Sequence, residues 1–326
     1  MTSFKHKKLL DQYRAVETKY QGPKFDAHVH ITAPNATHEM VEIGKEFHIQ
    51  KSVGIIKDAK KPFEEYFPKY FIFARFIYSR NLFYDKIEQV INGVDKIAAD
   101  GIPIVKFWHA PRWIDRIDAT KIDEAKRYRI DDPRFAPVFD RMVNHNLVLL
   151  IHVSDPDLYY KIKYQPESRY GKKAQHLAQL EGILKRHLSL NVLAAHFAGQ
   201  PEHLEQLSTW LHKYPNLYID TASAKWMARS FASQTHQARA FFQEFQDRIL
   251  FGTDIVSGRK DREPLPDYYY NRYFTYQALF ETAVKNLPLP IPDPENNNET
   301  IVNGLDLPHS VLQRIYWENG KELFQF

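Results

Sequence analysis

The chain has 326 residues, 44% of them hydrophobic, enough to bury a large core in either one α/β barrel or two ordinary domains. Lys plus Arg number 44 against 40 for Asp plus Glu, a formal +4 spread along the sequence, so no basic stripe marks a nucleic-acid partner. Cysteine is absent, which excludes disulfides and thiolate metal sites and fits a reducing compartment.

In chain order, residues 1–22 read as a helical surface extension without the apolar stretch and cleavage site of a secretory signal. Residues 23–326 are expected to form a single domain. Charges or prolines interrupt every hydrophobic run before the ~20 residues a membrane span needs. The expectation is a soluble cytoplasmic protein with a small-molecule substrate, no membrane or nucleic-acid partner, and room for a homo-oligomer.

Eight short runs rich in β-branched or aromatic residues follow, at 24–31, 52–59, 70–79, 102–109, 147–154, 191–198, 217–222 and 249–256. Helical periodicity fills 84–100, 133–146, 171–187, 202–213 and 227–247, with Asp132-Pro133 as a start signal for the second. The connection KKPFEEYFPK is too short and proline-rich for a full helix. Nearly continuous apolar strands such as LVLLI suit a parallel sheet buried on both faces. The alternation therefore predicts a (β/α)8 TIM barrel with long loops on its C-terminal face, ahead of a doubly wound sheet, which would carry a Gly-rich turn after its first strand. The longest loops follow the fourth, fifth and eighth strands, the last around a helical piece at 271–285.

Polar residues recur late in these strands: His28 and His30 on the first, Lys106 on the fourth, His152 on the fifth, His196 on the sixth and Asp254 on the eighth. Side chains alternate along a strand, so His28 and His30 project from one face and can grip one cation. In a barrel these positions converge at the C-terminal mouth, which favours a metal centre over scattered packing histidines. Asp26 shares the face of His28 and His30 and reads equally as an orienting group or an ordinary buried hydrogen-bonding residue. Arg112, with His109 and Trp108 before it in WHAPRW, is the first choice for a substrate clamp. Arg75, Arg80 and Arg259 are weaker choices, and Tyr268, Tyr269 and Tyr270 could cover the pocket.

FDAHVH, LIHVSDP, LAAHFAGQPEHLEQL with YPNLYIDTA, ILFGTDIV and the ending LPHSVLQRIYWENGKELF together resemble the amidohydrolase superfamily. Within it they are most similar to the amidohydrolase-related group of metal-dependent hydrolases and aminocarboxymuconate semialdehyde decarboxylase relatives. Asn319 is followed by Gly320, where that group usually has alanine. The resemblance implies that His28, His30, His152 and Asp254 bind one divalent ion, zinc by preference. It makes Asp254 and His196 the catalytic pair, and allows a second metal only if Lys106 is carboxylated. Lys106, Arg112, His109 and Trp108 are the substrate-binding candidates. The leading expectation is hydrolysis of an amide, lactone or ester by metal-activated water. Decarboxylation of a small unsaturated or aromatic acid is the alternative, and a catalytically silent binding barrel is the third reading.

Overall fold

The computed structural model describes residues 3–259 and 263–326. Two parts of the sequence reading lie outside the described residues: residues 1–2 of the N-terminal extension and residues 260–262 of the loop after the eighth strand. The nine strands of the main sheet are β1 (Lys24–His30), β2 (Ile49–Ile56), β3 (Phe71–Tyr78), β4 (Ile104–Trp108), β5 (Val148–His152), β6 (Val192–Ala194), β7 (Leu217–Asp220), β8 (Ile249–Leu250) and β9 (Ile255–Val256). Their order is β8-β7-β6-β5-β4-β3-β2-β1-β9, the TIM-barrel-like α/β arrangement that the alternation of strand and helix predicts. All eight expected strands are present. The eighth is split into β8 and β9 because Asp254 takes a left-handed conformation at φ 57.

Contacts between residues group the chain into two compact units, one of Met1–Gly54, Lys60–Ile72 and Thr221–Phe326, the other of Ile55–Ala59 and Phe73–Asp220. In the second unit β3 to β7 pair in parallel, with Tyr78 beside Trp108 and Trp108 beside His152. Ile104, Val105, Phe107, Leu149, Leu150, Ile151, Val192 and Leu193 are all 1% exposed or less, as expected of strands covered on both faces. Helices Ile87–Ala99 and Ala136–Asn144 present Val90, Val94 and Ile97, and Val138, Phe139 and Met142, as one buried stripe each. The expected helix at 84–100 starts later, at Ile87, where the Lys86 N–H donates to Gln89 Oε1 at 2.8 Å. Asp132 caps the next segment as predicted, accepting from the Arg134 N–H.

In the first unit, Pro34–Glu46 forms a helix that the sequence reading passed over, although Thr37, Met40, Val41 and Gly44 recur on its buried side at helical spacing. The proline-rich connection supports only six helical residues, Lys61–Tyr66. The expected helix at 227–247 is two, Ala224–Ala232 and Thr235–Glu244. Gln234 Nε2 and Thr235 Oγ1 donate to the carbonyls of Ser230 and Phe231 there, which competes with the helical ladder. The N-terminal helix Ser3–Arg14 is less of a surface element than its charges suggest, because Leu9, Leu10 and Tyr13 are buried. After helix Asp267–Glu281, the stretch read as irregular contains an antiparallel hairpin of β10 (Leu287–Pro288) and β11 (Ile301–Val302). None of the described helices is long and apolar enough to cross a membrane.

A buried ion pair ties the start of β1 to the helix after β9. Lys24 Nζ lies 2.6 Å from Glu281 Oε1, with the two side chains 2% and 0% exposed. Tyr316 Oη donates to the same oxygen at 2.9 Å, and the Tyr20 N–H donates to Oε2 at 3.3 Å. The ammonium also sits 4.4 Å from the Tyr316 ring centroid. Burial pulls the Lys24 pKa down, and Glu281 works against that shift by favouring the charged form. Glu281→Ala strands the ammonium in the core and should cost about 3–5 kcal/mol in urea denaturation, whereas Lys24→Met with Glu281→Leu should recover most of it. A single-variant loss below roughly 1 kcal/mol would show that the pair is not desolvated as described.

Candidate functional site

In the first unit the polar cluster is built on the junction of β1 with the broken eighth strand. The Ala27 N–H donates to the Phe251 carbonyl and the Asp254 N–H to the His28 carbonyl, both at 2.8 Å, and Val29 and His30 pair with Ile255 and Val256. Asp26, fully buried, organises this junction. Its Oδ1 accepts from the His28 N–H at 3.1 Å and the Thr253 N–H at 3.0 Å, and its Oδ2 accepts from Thr253 Oγ1 at 2.6 Å. The left-handed turn at Asp254, a conformation Asp tolerates better than most residues, returns the carboxylate toward the two histidines. Asp254 Oδ1 lies 3.6 Å from His28 Nε2 and 3.4 Å from His30 Nε2, and the two imidazole centroids are 5.4 Å apart. His28 is buried while His30 and Asp254 are part-exposed, so the group opens to solvent on one side.

Tyr268 and Tyr269 have a different role from the expected pocket cover. Both are buried, and their hydroxyls accept from the Val256 N–H at 3.0 Å and the Gly258 N–H at 2.9 Å. They brace the segment immediately after Asp254. Tyr270 turns instead to the Glu46 carboxylate, donating at 3.0 Å.

In the second unit the expected sixth strand, 191–198, ends early at Ala194. His196, Phe197, Ala198 and Gly199 have φ of 60, 54, 54 and 70, a full turn of left-handed backbone. Each non-glycine residue there costs about 1–2 kcal/mol, strain of the kind that persists where a site over-determines the backbone. Asp220 Oδ1 accepts from the His196 N–H at 2.8 Å, and the Gly199 and Gln200 N–H groups close the turn onto His196 and Phe197. The turn leaves the His196 ring 4.3 Å from that of His152, centroid to centroid.

His152 Nε2 is 2.9 Å from Asp155 Oδ1, and Tyr164 Oη donates to Asp155 Oδ2. Burial raises the Asp155 pKa, but His152, Tyr164 and His196 outweigh it and hold the carboxyl below its ordinary value. An ionised Asp155 accepts a hydrogen bond from the Nε2–H of His152, and in that tautomer Nδ1 is the electron-pair donor. Asp155, Tyr164 and Asp220 were not singled out from sequence. Only Asp155, three residues after His152 in HVSD, offered a spacing from which to guess.

The substrate-binding candidates divide by face. Lys106 and Trp108 alternate with Phe107, whose ring packs 6.2 Å from Phe139 in the helix layer, so the two share the opposite face of β4. Lys106 is 1% exposed and Trp108 is part-exposed. His109 goes the other way. Its ring stacks on Trp113 at 5.3 Å, bonds to Ser79 Oγ at 2.8 Å and Gln179 Oε1 at 3.2 Å, and is pushed down to about 3 by burial, so it stays neutral in the helix layer. Arg112 is exposed and committed to Asp115 at 3.0 Å. The chain thus brings together His28, His30 and Asp254 in one unit, and His152 and His196 in the other, while His109 and Arg112 are occupied elsewhere.

Gly199 is the residue on which the His196 turn depends. A Cβ at this position would fall 2.6 Å from the Ser154 carbonyl carbon and oxygen, on a backbone at φ 70. Gly199→Ala should therefore destabilise the protein by more than the ~1–2 kcal/mol of the left-handed penalty alone, measured by urea unfolding. Wild-type stability in this variant would contradict the turn geometry.

The family model described as amidohydrolase matches residues 116–326. No curated protein sequence matches the chain. Among solved structures, a probable 2-pyrone-4,6-dicarboxylic acid hydrolase from Acinetobacter baumannii, with citric acid bound, superposes at TM-score 0.54 and 12% identity, covering 93% of this chain and all of its own. The 5-carboxyvanillate decarboxylase LigW from Sphingomonas paucimobilis does so at TM-score 0.50 and 9% identity, covering 93% and 99%. The 5-carboxyvanillate decarboxylase from Novosphingobium aromaticivorans, complexed with manganese and 4-hydroxy-3-methoxy-5-nitrobenzoic acid, gives 0.51 and 12%, covering 94% and 97%. At these identities the superpositions speak for the fold, while the sequence match over most of the chain shows that it belongs to the amidohydrolase family.

Proposed function

We propose that His28, His30, His152 and Asp254 hold one divalent ion with His196 beside it, and that the protein is a metal-dependent hydrolase of an amide, lactone or ester bond in a small molecule. The observation that carries this reading is that, within one unit, Asp254 Oδ1 lies 3.6 Å from His28 Nε2 and 3.4 Å from His30 Nε2. Imidazole and carboxylate donors without thiolate suit zinc, and equally the manganese present in one of the similar structures. Two ions per chain would instead bring in Lys106 as a carboxylated bridge.

When bound, such an ion supplies Lewis acidity, lowering the pKa of water and polarising a carbonyl. The protein's own groups supply the rest. Asp254 is part-exposed and takes the proton of the attacking water, and His196 stabilises developing oxygen charge or protonates the leaving group. Asp155 fixes the tautomer of His152 and aims its Nδ1. Decarboxylation by the same residues is the second reading, favoured by the fold shared with two 5-carboxyvanillate decarboxylases. The two are separated by assaying ester, lactone and amide cleavage beside carbon dioxide release on the same metal-loaded protein.

Asp254→Asn should fold normally and lose turnover by roughly 10²–10⁴-fold, the usual contribution of a positioned general base. Undiminished turnover would remove Asp254 from the mechanism. Asp155→Asn should weaken divalent-metal affinity about 10–100-fold in a chelator competition, the typical effect of losing the group that orients a ligating histidine. Unchanged affinity would mean that Asp155 serves only the packing around Tyr164.

A further inference from the structure

At the C-terminal end of β4 an arginine that the sequence reading did not single out lies over two aromatic rings. Arg116 Cζ is 5.3 Å from the Tyr78 centroid and 5.1 Å from the Trp108 centroid, and the two rings meet edge to face at 6.4 Å. Three other arginines of the same loop have acidic partners: Arg112 holds Asp115, Arg129 holds Asp131 and Arg134 holds Asp132. Arg116 has no carboxylate partner among the described residues. A guanidinium held near aromatic rings by its charge gives up little of its hydrogen-bonding capacity, because its N–H groups are not spent on that contact.

The register puts this group at the level of the ligating histidine. Tyr78 pairs with Trp108 and Trp108 with His152, so the three side chains stand in one row on the same face of neighbouring parallel strands, about 4.8 Å apart per strand. Tyr78 and Trp108 are both part-exposed. Phe76 extends the aromatic wall, 4.4 Å from Tyr78, and Lys57 Nζ adds a second cation 5.6 Å from the Tyr78 ring. An aromatic face with a guanidinium beside it is complementary to a planar anion: a ring can stack on Trp108 while the carboxylate takes two N–H bonds.

Resting on the reading of His152 as a metal ligand, we propose that Arg116, held against Tyr78 and Trp108, is the substrate-carboxylate clamp and that the substrate is a small planar carboxylate whose ring lies on Trp108. The role is specificity, not bond breaking. The competing structural role is an exposed cation–π contact that pins the turn Pro111–Arg116, which would lower stability slightly and leave ligand preference untouched.

The test uses benzoate and its neutral counterpart benzamide, titrated calorimetrically into metal-loaded wild type, Arg116→Gln and Arg116→Lys. Wild type should prefer benzoate, and Arg116→Gln should lose roughly 10–100-fold in benzoate affinity with benzamide unchanged, the scale of a charge-assisted bidentate contact. Arg116→Lys, which keeps the charge but not the fork, should recover only part of it. Equal benzoate binding by wild type and Arg116→Gln, or no benzoate binding by wild type at millimolar concentration, would overturn the proposal. His28→Ala separates this from failure of the metal reading. Loss of metal in His28→Ala together with unchanged benzoate binding in Arg116→Gln would leave the metal centre standing and remove the clamp. Retained metal in His28→Ala with the Arg116 effect intact would do the reverse.

Discussion

A buried carboxylate at the seam of the first and eighth strands does most to determine what this protein can be. Asp26 accepts three hydrogen bonds, from the backbone of His28, the backbone of Thr253 and the hydroxyl of Thr253. Each such bond contributes roughly 0.5–1.5 kcal/mol net, and together they hold His28 and Thr253, the residue before Asp254. The eighth strand cannot run straight through this point. It breaks, Asp254 turns left-handed, and the chain resumes as β9 beside β1. Thus the interaction that joins the seam also places a carboxylate 3.4–3.6 Å from two imidazoles.

The same economy recurs at the sixth strand, where regular structure is again given up to deliver a histidine. Four consecutive left-handed residues are tolerable because Asp220 holds the His196 N–H and because Gly199 passes Ser154 where no side chain fits. Catalytic barrels concentrate such departures at the C-terminal ends of strands, where loops rather than the sheet decide the chemistry. Beside His152, the aromatic row of Tyr78 and Trp108 stays on regular strand and offers a rigid surface, on which Arg116 is held by ring contacts rather than by an ion pair.

Much of this was legible in the sequence. Apolar runs such as Val148–His152 announced buried parallel strands, and His-Val-His at 28–30 announced two imidazoles on one face, because both signals are local. Helix ends were read less well: the break at Ser233 depends on side chains of Gln234 and Thr235 bonding back to the preceding turn. Asp26 could be named but not decided, since its partner Thr253 lies 227 residues away. His109 and Arg112 looked like pocket residues by proximity to the fourth strand. Strand parity sends His109 into the helix layer, and a local aspartate claims Arg112. Arg116 went unnoticed because its significance comes from rings on two neighbouring strands, a relation that a linear reading does not display.

The account stands on the seam of β1 with the eighth strand being a metal-binding device. Elemental analysis of tag-free protein, wild type against His28→Ala, tests that most directly. About one divalent ion per chain in the wild type, lost in the variant while the circular dichroism spectrum is retained, is the predicted result. No ion in the wild type even after reconstitution with zinc or manganese would contradict it, and would leave the histidines and Asp254 as a polar cluster without the role assigned to them.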